Sequence, residues 1–168
     1  MDNLTLRAEA LVDAAVRAVE RGDSLLDALD ALQAPIYVTD AEGLITHFSR
    51  ACIGFAGRTP AAGKDRWCVT WRLYTEDGVF LPHDQCPMAV TIHEKKPVRG
   101  ARAVAERPDG TRVTFQPFPT PVFDDDGQFV GAVNLFIDVT EHRQIAELRD
   151  KAAKCRRMAR HIGDRRTV

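Results

Sequence analysis

The chain has 168 residues, of which 45% are hydrophobic and 28% charged, enough apolar content for one well-buried core and too much for a disordered chain. Its formal net charge of -1 draws it as a whole neither to nucleic-acid phosphates nor to anionic lipid, and no apolar run approaches the ~20 residues that a bilayer span requires. Met1-Asp2-Asn3 lacks the basic and apolar regions of a secretion signal, and Cys52, Cys68, Cys86 and Cys155 form no Cys-x-x-Cys pair; the expectation is a cytoplasmic protein with reduced thiols, no zinc site, and no nucleic-acid or membrane partner.

Leu4, Ala8, Leu11, Val12, Ala15, Val16 and Val19 recur at helical spacing between charged residues, which predicts an amphipathic helix from Leu4 to Arg21 closed by Gly22. A lone helix of this length is marginal in water, so its stripe must be covered. A second copy of the chain is the expected cover, with Leu4, Ala8, Leu11 and Ala15 at a dimer interface; the domain's own sheet is the rival. A short helix follows, capped by Asp23 or Ser24, with Leu25, Leu26, Leu29 and Leu32 as its buried stripe and Pro35 at its exit.

Ile36 to Thr39 and Leu44 to Ser49 read as a hairpin joined by Asp40-Ala41-Glu42-Gly43. Gly54, Gly57 and Pro60 favour short helical turns from Arg50 to Ala62, and the stretch from Trp67 to Pro82, with both tryptophans and a Gly78 turn, suits strand and loop equally and is taken as ordered loop. Asp84 to Glu94 reads as a helix with Pro87 in its first turn. Val98 to Glu106, Thr111 to Phe118 and Phe129 to Val139 read as three strands of an antiparallel meander, separated by Pro108-Asp109-Gly110 and Asp124-Asp125-Asp126-Gly127. Both alternating sets of the last strand are largely apolar, which makes it central and covered on both sides. Beyond Thr140 the period changes: Ile145, Leu148, Ala152, Cys155, Ala159 and Ile162 alternate spacings of three and four, a heptad seam on a helix of ~30 Å.

Three segments in this order, PIYVTDAEGLITHFSRA at 35–51, LPHDQCPMAV at 81–90 and GQFVGAVNLFIDVTEHR at 127–143, resemble the PAS sensor family. The resemblance implies an α+β fold: a five-stranded antiparallel sheet with helices on one face, enclosing a pocket and flanked by N- and C-terminal amphipathic helices. The implied organisation is an N-terminal helix at 1–22, a sensor domain at 23–140 and a C-terminal signalling helix and tail at 141–168. It also implies that Asp138 and Thr140 join the last strand to the exit helix, and that Ile145 and Leu148 carry the signal onward to a second copy and to an unidentified signalling protein, such as a partner in two-component regulation. Flavin-binding members place a reactive cysteine in an Asn-Cys-Arg-Phe-type motif, and nothing like it surrounds Cys52, Cys68 or Cys86.

For the pocket, Asn134 stands out, because an amide in an apolar central strand must find a partner in the protein or in a ligand. Trp71, Phe115 and Met88 join it as candidate lining for a small molecule. His83, beside Asp84 before the longer helix, is the candidate heme ligand if the protein is a gas or redox sensor; a helix-start cap is the plainer reading. No Gly-x-x-x-x-Gly-Lys, His-Glu-x-x-His or Gly-x-Ser-x-Gly occurs and no acid–base pair stands at meaningful spacing, so no catalytic residue is assigned and a small enzyme is the weaker alternative.

Overall fold

Asp2 caps the first helix: its carboxylate accepts from the Thr5 amide at 2.8 Å, and α1 (Asn3–Arg21) ends at Gly22 in the left-handed conformation that stops a helix. The computed structural model describes residues 2–22 and 24–163, with the side chains of 142–147 and 158–163 outside that description, as is the expected cap Asp23. Residues through Asp138 form one compact unit and those from Val139 a second.

The first unit continues through α2 (Leu25–Ala31), β1 (Ile36–Asp40), β2 (Ile45–Phe48), α3 (Ala51–Ala56), β3 (Arg72–Tyr74) and β4 (Phe80–Leu81). A 3-10 turn at His83–Gln85 leads into α4 (Pro87–Glu94), and β5 (Ala103–Glu106), β6 (Arg112–Pro117), β7 (Thr120–Phe123) and β8 (Phe129–Asp138) complete it. The strands pair antiparallel in the order β2-β1-β8-β6-β5-β3-β4, with β7 also on β8.

The sheet has eight strands where the sequence predicts five, for two reasons. Pro117 and Pro119 flank Phe118 and cannot donate to a ladder, so the chain running beside β8 is split into β6 and β7. The stretch expected as loop instead forms the β3–β4 hairpin, which extends the sheet beyond β5. The expected helix-covered antiparallel α+β class holds.

The central strands separate two apolar layers. Tyr37, Ala132 and Phe136 face a cluster with Phe55, Leu73, Met88 and Phe115. Ile36, Val38, Val133 and Leu135 face the other cluster, with Ala8, Val12 and Ala15 of α1. This corrects the expected dimer interface: Ala8 and Ala15 are fully buried within the chain's own fold, Leu4 and Leu11 are half-buried beside them, and the sheet supplies the cover that a second copy was expected to give. Small residues let the helix backbone approach the sheet, and each large apolar side chain it covers contributes roughly 1.5–3 kcal/mol. Arg99 ties the helix down, donating to Glu9 at 2.6 Å, the Pro119 carbonyl at 2.9 Å and the Thr120 hydroxyl at 2.8 Å.

Gly131 of β8 stands opposite Asp40 of β1. A Cβ there would lie 2.0 Å from the Thr39 carbonyl oxygen, so no other residue fits without moving the backbone.

The second unit holds α5 (Thr140–Gly163), whose 24 residues span roughly 36 Å. Leu148, Ala152 and Cys155 of the heptad seam are exposed; the side chains of Ile145, Ala159 and Ile162 lie outside the described residues.

Candidate functional site

Strand alternation points Tyr37 and Asn134 to the same face, and the β1–β8 register sets them opposite each other. Asn134 Nδ2 donates to the Tyr37 hydroxyl at 3.1 Å, and its Oδ1 accepts from the Phe118 amide at 3.1 Å. That amide, between the two prolines, also donates to the Leu135 carbonyl of β8 at 2.9 Å, so the Asn134 side chain shares it with the strand backbone. Tyr37 in turn donates to the Trp67 carbonyl at 2.8 Å. Burial, with the Cys68 and Cys86 thiols beside it, pushes the Tyr37 phenol well up, so it stays a protonated donor.

Trp67 adopts φ 70°, a conformation that non-glycine residues rarely take. Its amide donates to the Gly43 carbonyl at 2.8 Å, and its ring fills the space where a Gly43 Cβ would be, 2.3 Å from such an atom. The turn at Gly43 therefore fixes both the Trp67 ring and the carbonyl that receives Tyr37.

From Cys68, beside the Tyr37 hydroxyl, the polar chain continues outward. The Cys68 thiol lies 3.1 Å from Thr70 Oγ1, which lies 3.4 Å from His83 Nε2. His83 is half-buried in its 3-10 turn; burial and the nearby Arg58 guanidinium hold it below the ordinary imidazole range, so it is neutral at pH 7. It borders a cavity of about 170 Å³ shared with Arg58, Asp65, Thr70 and Trp71. Arg58 is fixed there by Asp65 at 2.7 Å and by the Val69 carbonyl at 3.0 Å.

Of the expected pocket residues, Asn134, Phe115 and Met88 are brought into the interior behind α4. Phe115 packs at 4.5 Å from Phe136 and 5.4 Å from Phe55, so that interior is ring against ring. Trp71 differs from these three: it is 47% exposed and lines the cavity beside His83 instead of the interior. Asp138 ends β8 opposite Phe115, and Thr140 begins α5. Tyr37, Thr70 and Arg58 are not singled out as site residues by the sequence. Tyr37 carried a readable signal, a hydroxyl in an otherwise β-branched central strand; the others meet through loops that leave no periodicity.

The residues around His83 do not fit a heme. A porphyrin needs a flat, largely apolar slot on the open side of the ring nitrogen, whereas Nε2 faces Thr70 and the adjoining cavity is small and carries Arg58 and Asp65. Among the described residues no three His, Cys, Asp or Glu side chains converge as a metal site, and no helix is long and apolar enough to cross a membrane.

A family model described as the PAS fold matches residues 29–144. Solved structures with the same architecture include a light-oxygen-voltage domain studied with a flavin analogue, at 18% identity over 78% of this chain and 96% of that one, with a TM-score of 0.54. An RNA-binding light-oxygen-voltage receptor matches at 17% identity over 80% of this chain, with a TM-score of 0.56; the matched part is 38% of the receptor. The PAS domain of the fruit-fly ELK potassium channel matches at 14% identity over 67% of this chain and 91% of that one, with a TM-score of 0.51. At these identities the likeness is one of fold. No curated protein matches the chain.

Proposed function

The chain belongs to the PAS-fold family, and from that premise we propose that it is a non-enzymatic sensory module in which the cavity beside His83 receives a small polar ligand. In this reading Thr70, Cys68, Tyr37 and Asn134 pass its presence to β8, and β8 passes it along the chain to α5. The observation that supports it is the position of Asn134: a buried amide on the strand that runs into α5, joined through Tyr37 to the carbonyl of Trp67, the residue before Cys68. A change in hydrogen bonding at one end of such a chain alters the other end without repacking the apolar interior.

A flavin is not the ligand of this reading. The interior behind α4 is filled by Tyr37, Phe55, Phe115 and Phe136, and burial pushes the Cys68 thiol up, away from the reactive thiolate. The output in this reading is α5, whose exposed Leu148, Ala152 and Cys155 seam pairs with the same helix of a second copy and, through it, acts on a signalling partner.

Hydrogen–deuterium exchange of the full chain tests the proposal. Tyr37→Phe removes the link between Trp67 and Asn134, and the α5 amides should then change their protection while β5 and β6 keep theirs. Unchanged α5 exchange in a folded variant refutes the relay. Native mass spectrometry of protein purified without added ligand gives the mass of whatever occupies the cavity.

A further inference from the structure

A second hollow, of about 630 Å³, opens outside the polar chain, between the β1–β2 turn, the end of α4 and the start of β8. Trp67 and Phe129 are half-buried in its wall, and the His93 ring lies 5.5 Å from that of Trp67 at an interplanar angle of 37°. The Arg66 guanidinium stands 5.8 Å from the Trp67 ring centre and the Lys95 ammonium 5.7 Å from that of Phe129. Neither cation has a carboxylate partner among the described residues, and Glu42 is the one acid at the rim.

We propose that this hollow binds a planar aromatic carboxylate, its ring against Trp67 and Phe129 and its carboxylate between Arg66 and Lys95. The hollow, open to solvent and of small-molecule volume, offers what such a ligand needs: two aromatic rings in a mixed polar and apolar wall, and two cations against one acid to hold an anion. Apolar rings alone would accept a neutral arene equally well, and cations alone any anion. Their combination in one hollow selects the molecule that carries both. Arg66 also borders the His83 cavity, whereas Trp67, Phe129 and Lys95 line this hollow and not that one, and the proposal does not depend on that cavity being a ligand seat.

The hollow is also linked to the interior. The residue whose ring walls the hollow also supplies, with its backbone carbonyl, the acceptor for Tyr37.

The chain has two tryptophans, and Trp71 lines the His83 cavity, so their indole N–H signals in a ¹H–¹⁵N spectrum report the two sites separately once Trp71→Phe has assigned them. Titrating the full chain with benzoate should move the Trp67 signal saturably and leave that of Trp71 in place. Benzamide, with the same ring and no charge, should bind about tenfold more weakly, and Arg66→Gln with Lys95→Gln should weaken benzoate by about tenfold while leaving benzamide unchanged. Both side chains are exposed, so the variant should fold; Lys95→Gln alone, with a smaller loss, serves if it does not. A Trp67 signal that does not move at millimolar benzoate, equal binding of benzoate and benzamide, or undiminished benzoate binding by the folded variant overturns the proposal.

Discussion

Tyr37 and Asn134 face each other across β1 and β8 and are joined by a 3.1 Å hydrogen bond inside an otherwise apolar interior. Asn134→Leu strands the Tyr37 hydroxyl as an acceptor and removes one of the two acceptors of the Phe118 amide. It should cost roughly 1–3 kcal/mol, read as a lower urea midpoint with unchanged slope. An unchanged midpoint would mean that the amide does not hold the two strands together.

Stability should depend on pH through His83. Its folded-state pKa is lowered by burial first and by Arg58 second, so on acidification the unfolded chain takes up this proton before the folded one does. The contribution is complete above the unfolded value and is lost as pH falls below about 6.5 toward the folded value. Urea titrations at pH 7.5 and 5.5 should show this loss in the wild type and a smaller one in His83→Gln; parallel behaviour of the two would remove His83 as the cause.

Thiol labelling should be sharply unequal. Burial pushes Cys52 and Cys86 up to about 12 and raises Cys68, whereas Cys155 is exposed on α5. A disulfide reagent at pH 8 should therefore modify Cys155 rapidly and the other three at the rate of unfolding. Fast modification of any second cysteine in the native chain would contradict the packing around Tyr37.

Deleting residues 2–21 should not release a well-behaved domain. α1 covers Val133, Leu135 and Phe118, and without it that apolar face meets water. The truncated protein should aggregate or melt well below the full chain; a soluble, equally stable product would show that α1 is dispensable to the fold.

Leu148 is 65% exposed in the heptad seam of α5. If that seam pairs with a second copy, Leu148→Lys should lower the association constant measured by sedimentation without changing the melting of the first unit. Identical sedimentation of the two proteins argues against the helix pair.

The sequence exposed the elements whose patterns are local. The turn after β1, the proline start of α4 and the two apolar faces of β8 were legible because spacing and turn chemistry determine them. The covering of α1 was not legible, since Ala8 and Ala15 suit a sheet as well as another helix and only the tertiary fold decides. The β3–β4 hairpin was missed because strands of three and two residues are too short to show alternation. Asn134 was found from its chemistry, but its partners come from a strand and a proline-broken loop distant in sequence. Arg58 and Asp65 meet across a loop of no periodic character.

The division of the core by β1 and β8 bears on how such a domain diversifies. Residues behind α4 and residues under α1 belong to different clusters, and the two central strands contribute side chains to both. Substitutions that reshape one layer therefore leave the other's packing intact as long as those two strands keep their register. A lineage, or a designer, can change what the inner layer recognises while keeping the outer layer, and can alter the N-terminal helix without disturbing recognition. Gly131 limits this freedom: with the Thr39 carbonyl in the space of its missing side chain, it is the position in β8 that both layers require to stay as it is.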